Sequence, residues 1–228
     1  MSTQVKVGRY HLIQWVLYVA MPWAALAFSF AINLVINLAT NVGASNETRG
    51  LTTIYAFMFI GGLLATTRSL PFALALGLSR RSYYLGTALF AVGLAAVYGL
   101  ALTLLATVER GTGGWGTSLH FFSMAYILDG PWYQTWLTSF VALALVFVYG
   151  MWFGLVHRRW NLTGLTVFIA AQITAVLAGL VVATSTHAWN RIGHFFTALT
   201  ATGLTGVLAA LTVVLIAGGL ATMRRVTV

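Results

Sequence analysis

The 228-residue sequence is 60% hydrophobic and 7% charged, with a mean hydropathy of +0.90. A soluble domain has about a quarter of its residues charged, so this chain cannot cover a water-facing surface and is expected to be an all-α, polytopic membrane protein. Its net charge of +9 is scattered singly and in pairs between apolar runs, which argues against nucleic acid, and the lack of cysteine excludes disulfides, thiolate metal sites and a cysteine nucleophile.

The opening MSTQVKVGRY lacks a small-residue cleavage site behind a short apolar core, so the first apolar run is read as a retained span. A membrane helix needs about 20 mostly apolar residues. Six intervals free of Asp, Glu, Lys and Arg can each hold one, placing spans at 11–39, 51–67, 83–107, 133–156, 162–183 and 195–223 in a single transmembrane domain. Pro22 predicts a kink in the first, whose start could instead lie flat on the membrane surface. The second is short and ends near Gly61-Gly62.

With six spans both termini share one side. That side receives Lys6, Arg9, Arg68, Arg80, Arg81, Arg158, Arg159, Arg224 and Arg225, while Arg49, Arg110 and Arg191 fall opposite. The basic side is therefore expected to be cytoplasmic. Glu47, Glu109 and Asp129 all fall outside, in segments 41–50 and 108–132. The second of these, with its glycines, aromatics and an Asp-Gly-Pro turn, is expected to fold over the outer mouth or lie at the interface.

Several chemistries are missing. The chain has one lysine, Lys6, and no G-x-x-x-x-G-K-[ST] loop, so any ATP that drives it must be bound by another chain. None of the six cores holds Asp, Glu, Lys or Arg, which argues against a proton- or sodium-coupled carrier, although backbone carbonyls can still hold sodium. A membrane enzyme would have to use His187 and His194, with His120 on the same side. Seven-residue spacing can put the first two on one helical face, and the competing reading is a pair of interfacial histidines beside Trp189 and Arg191.

Between the second and third spans runs LPFALALGLSRRSYYLGTAL. Pro71 suits the first turn of a helix, Phe72 to Leu76 make one or two turns, and Gly77 can take the left-handed conformation that ends them. Ser79 then caps the next helix, with Arg80, Arg81 and Ser82 in its first turn. The pattern predicts a short helix, a break and a new helix at the cytoplasmic face. Cations at a helix N-terminus are disfavoured by roughly 0.3–1 kcal/mol each, so lipid phosphate or an acidic groove on a partner must favour these two. The apolar face Leu70, Phe72, Leu74 and Leu76 is open to the same two readings, dipping into lipid or docking.

This stretch resembles the loop between the second and third spans of permease subunits of type-2 ABC exporters, closest to the actinobacterial drug- or antibiotic-exporter-like branch. The shared pattern is Pro71, Gly77, Ser79, Arg80, Arg81, Tyr83, Tyr84 and Gly86, and the six-span layout without an ATPase domain extends the likeness over the chain. The resemblance implies that Leu70, Pro71, Phe72, Leu76, Gly77, Ser79, Arg80 and Arg81 form a coupling helix seated in a cleft of a separate ABC ATPase. It also implies two ATPase copies carrying ATP and Mg, none of it bound by this chain. Two permeases, identical or related, would pair in a bacterial inner (plasma) membrane. The family's N-terminal surface helix is not separated here from the first span, and no large outer domain fits. The segment ATSTHAWNRIGHFF resembles the family's outer re-entrant region.

Within the spans, Asn33 and Asn37 share a face. Gln172 interrupts the fifth span and Thr200 belongs to a threonine series in the sixth. Such groups either line a substrate path or bond neighbouring helices at roughly 0.6–2 kcal/mol each. Arg158 and Arg159, in a tight cytoplasmic turn, are read as topology signals. The expectation is an exporter permease for an amphipathic or hydrophobic substrate: drug, antibiotic, lipid or peptide. The alternatives are a substrate-capture subunit of an importer, a membrane enzyme using the outer histidines, and a passive scaffold.

Overall fold

The computed structural model describes residues 15–40, 46–47, 50–122, 131–198 and 200–223. Seven helices account for most of them: α1 (Met21–Thr40), α2 (Thr52–Leu64), α3 (Leu70–Ala75), α4 (Arg80–Gly111), α5 (Trp132–Ser185), α6 (Trp189–Ala198) and α7 (Ala201–Met223). Two short strands, β1 (Asn46–Glu47) and β2 (Leu119–His120), pair in parallel and tie the segment after α1 to the segment after α4. The chain is all-α, and among the described residues five helical runs are long and apolar enough to cross a membrane.

The prolines shape these helices without ending them. Pro22 and Pro71 each lie in the second residue after a widened, i→i+5 turn, Val16–Ala20 in one case and Ala65–Ser69 in the other. A proline ring inside a regular helix clashes with the carbonyl four residues back and donates nothing to it. A locally widened turn relieves that clash while the helix continues. Pro131 avoids it altogether by standing as the N-cap of α5.

The second span differs from its expected extent. The helical path does not stop at Thr67 but runs from Thr52 through Gly61-Gly62 to Ala75, with Ser69 and Leu70 both helical. Both glycines are buried. A Cβ on Gly62 would collide with the Phe147 backbone of α5 and lie 2.9 Å from the Met151 nitrogen. Missing side chains here bring two helices together. The Thr66 hydroxyl reaches across the same contact to the Met151 carbonyl at 3.3 Å.

The longest helix, α5, has 54 residues, roughly 81 Å if straight against a hydrocarbon core of about 30 Å. It is not straight. Asn161 has φ 54°, ψ −154°, a conformation reserved almost wholly for glycine, and the chain reverses there. Phe153 and Phe168 rings meet at 5.2 Å, and the Tyr149 hydroxyl donates to Gln172 Oε1. Residues 132–160 and 162–185 are thus the two arms of a hairpin turned by one residue. Arg158 and Arg159 lie in the last helical turn before it rather than in a loop, and the Arg159 guanidinium covers the Trp160 ring at 4.5 Å.

Directions follow from cross-helix contacts. The segment from Tyr18 to Trp23 runs parallel to α4, with Tyr18 against Phe90 and Trp23 against Tyr98. The first arm of α5 runs antiparallel to α4, since Trp136 Nε1 donates to the Ala96 carbonyl at 3.2 Å while Phe147 meets Phe90. It runs parallel to α7 through Gln134 to Thr202 at 3.2 Å, Thr138 to Thr205 at 2.7 Å and Trp152 to the Leu215 carbonyl at 2.9 Å. The core between these helices is built on Tyr18, Ile54, Met58, Tyr98, Phe147 and Met151. The outward faces are also apolar, as at Val97, Leu104, Val167 and Val213, which suits a surface solvated by lipid.

Candidate functional site

The elbow between α2 and α4 is the best-defined candidate. Pro71 stands in the first turn of α3, which ends at Ala75. The chain then reverses through Gly77 at φ +80°, where a side chain would be strained. The Gly77 and Leu78 amides donate to the Leu74 and Ala73 carbonyls at 2.9 and 3.1 Å, closing the end of α3. Ser79 caps α4, its Oγ accepting from the Ser82 amide at 3.2 Å. The Tyr83 hydroxyl donates to the Ala65 carbonyl at 2.6 Å, fastening α4 to the widened turn before α3.

The residues expected to form one face do not. Leu70 is 1% exposed and Ala73 is buried with it, whereas Phe72 and Leu76 are 50% and 65% exposed. Alternate residues suit a strand, and a helix groups positions four apart. Phe72 and Leu76 are therefore the outward pair, and Leu70 anchors the elbow from inside. Gly77, Ser79 and Arg81 are exposed and Pro71 and Arg80 half-buried. α3 is also continuous with α2 rather than a separate piece, because the widened turn carries the helix across Arg68.

The four polar residues considered for a substrate path are not assembled into one. Asn33 Nδ2 donates to the Ser29 carbonyl of its own helix at 2.8 Å, and Asn37 is buried one turn on. Gln172 is engaged by Tyr149 across the hairpin. Thr200 is not inside a span: it precedes α7 and its Oγ1 accepts from the Gly203 amide at 3.2 Å. The expected sixth span starting at 195 is correspondingly divided. Residues 195–198 close α6, and the long helix begins at Ala201.

The outer histidines do not share a helical face. His187 has φ 49° in the turn after α5, and His194 lies within α6. Among the described residues no three His, Asp or Glu side chains gather as metal ligands would.

One site was not anticipated. Glu109, near the end of α4, is fully buried, and its Oε2 accepts from Trp115 Nε1 at 3.0 Å and from the Phe121 and Phe122 amides at 2.9 Å each. The carboxylate clasps the segment that folds back over the helix end, and Phe30 of α1 packs against Trp115, Phe121 and Phe122. The glycines of GTGGWG, which give φ of 62°, 77° and 74° at Gly113, Gly114 and Gly116, were the available sign of a tight return here. No protein-family model, curated protein or solved structure matches the chain.

Proposed function

We propose that this chain is the membrane-spanning subunit of an ATP-driven exporter whose ATPase is a separate chain. In this reading the two arms of α5 each cross the bilayer, giving six crossings with both termini cytoplasmic. The alternating helix directions and the nine-to-three distribution of basic residues support it. The observation that carries the reading is the elbow. A rigid helix end, tied back by Tyr83 and capped at Ser79, presents two large apolar side chains, Phe72 and Leu76, to the side where the basic residues collect. Exposed apolar groups on a braced bend suit a cleft in a partner protein, and a movement imposed on them passes directly into α2 and α4. ATP and Mg then belong to the partner, two copies of it beneath a pair of permeases in a bacterial plasma membrane. An amphipathic cargo fits the apolar bundle.

Phe72→Ser with Leu76→Ser tests this. These positions are outside the core, so the double variant should reach the membrane at normal levels yet lose co-purification of an ATP-hydrolysing chain. Unaltered recovery of that chain would remove the elbow from the coupling path.

A further inference from the structure

We propose that the groove on the α5 hairpin binds a single-chain amphiphile with an anionic head, a fatty-acid-like molecule taken from the membrane. The proposal rests on the membrane placement of the function given above but not on its ATPase.

The two arms of α5 are held together by the Phe153–Phe168 ring contact and by Tyr149 on Gln172. Toward the turn lies a cavity of about 510 Å3, within the range of small-ligand sites, roughly 300–1,000 Å3. Val156 and Trp160 of the first arm line it, with Gly164, Val167, Phe168 and Ala171 of the second. The reversal at Asn161 sets Trp160 directly against Gly164, where a Cβ would collide with the Trp160 Cβ. The indole is left half exposed on the wall of the groove. The second arm is exposed along most of its length, as at Val167, Val176 and Val181. The groove is therefore reached from the bilayer rather than through the bundle.

Apolar walls exclude a small hydrated anion and suit a hydrocarbon chain. What separates this groove from any lipid-facing furrow is the charge beside it. The Arg159 guanidinium lies over the ring of the lining Trp160 at 4.5 Å. A cation held over a ring keeps its N–H donors for other partners, and among the described residues none accepts from or pairs with Arg159. The described acidic residues stand at the other end of the bundle. The first arm of α5 runs antiparallel to α4, so Glu109 at the end of α4 is level with the start of that arm. Glu47 belongs to β1, which pairs with β2 just after α4. A carboxylate head gives the guanidinium a two-point partner of matching single charge, while its chain lies on the apolar walls. One groove and one guanidinium match one chain and one negative charge.

The test uses the full chain, without any ATPase, in phosphatidylcholine nanodiscs containing a diazirine-bearing palmitic acid, with adducts mapped by peptide mass spectrometry. Wild type should be labelled chiefly within 156–171, above the equally lipid-exposed Val213 and Val214 of α7. Excess palmitate should suppress that labelling, and hexadecanol, a comparable chain without the charge, should not. Arg159→Gln should reduce it about tenfold, the share of affinity that a charge-assisted hydrogen bond supplies. Arg68→Gln, at another exposed arginine of the basic side, should leave it unchanged. Val167→Trp fills the groove with every charge in place, and at matched far-UV circular dichroism it too should lose the label. Even labelling of α5 and α7, equal labelling of Arg159→Gln, or suppression by hexadecanol would reduce the groove to bulk lipid contact and overturn the site. Suppression by phosphatidylglycerol as strong as that by palmitate would assign it to a diacyl lipid and overturn the single-chain amphiphile. Because no ATPase is present, neither result depends on the elbow's docking partner.

Discussion

Glu109 is a carboxylate whose one oxygen satisfies an indole and two backbone amides that would otherwise be buried without partners. Hydrogen bonds to a charged group contribute about 1.5–3 kcal/mol net, and stranding a buried donor costs about 1–3 kcal/mol. Glu109→Gln keeps a carbonyl acceptor and should lower stability by about 1–3 kcal/mol. Glu109→Leu strands all three donors and should lower it further, both read by denaturant titration in detergent. A transport role for this carboxylate would give another signature: Glu109→Gln would abolish transport with stability unchanged. Nothing local in the sequence identified this clasp. Its donors lie 6, 12 and 13 residues away, across glycines whose left-handed turns determine where they arrive.

At the scale of the element, the elbow was the most legible part of the chain because its signals are local. Pro71, Gly77 and Ser79 each act within a turn of themselves, and their backbone angles and cap bond follow the sequence pattern. What failed were inferences that needed a neighbour. Gly61-Gly62 reads as a stop by composition, yet Gly62 is a contact, since only the packing of α5 decides which role a glycine takes. The tight turn expected between 156 and 162 is there, but it is made at Asn161 alone, without a glycine, so Arg158 and Arg159 belong to the helix before it. The expected face of Leu70, Phe72, Leu74 and Leu76 counted residues by twos where the helix counts by fours. The glycine contact makes its own prediction. Gly62→Ala should force α2 from α5 and cost about 1–3 kcal/mol as overpacking does, whereas Gly93→Ala, with nothing within 4 Å of a new Cβ, should leave thermal stability unchanged or higher.

For the whole molecule, composition established the class and the charge-free intervals located most of the long helices. Apolar faces turned outward, with an aromatic core inside, are what a lipid solvent requires of a bundle. The interval rule missed that α6 separates from α7, because a short helix rich in aromatics has no charge boundary at Ala198. The proposed path residues were grouped by polarity alone, and their bonds to Ser29, Tyr149 and Gly203 lie in three parts of the bundle. In the proposed function, outside work enters the bundle at the elbow. A photoactivatable crosslinker placed at Leu76 in the intact membrane measures that most directly. The account predicts an adduct with a separate ATP-binding chain, its yield changing when ATP is trapped unhydrolysed. Adducts confined to lipid, identical with and without nucleotide, would contradict it.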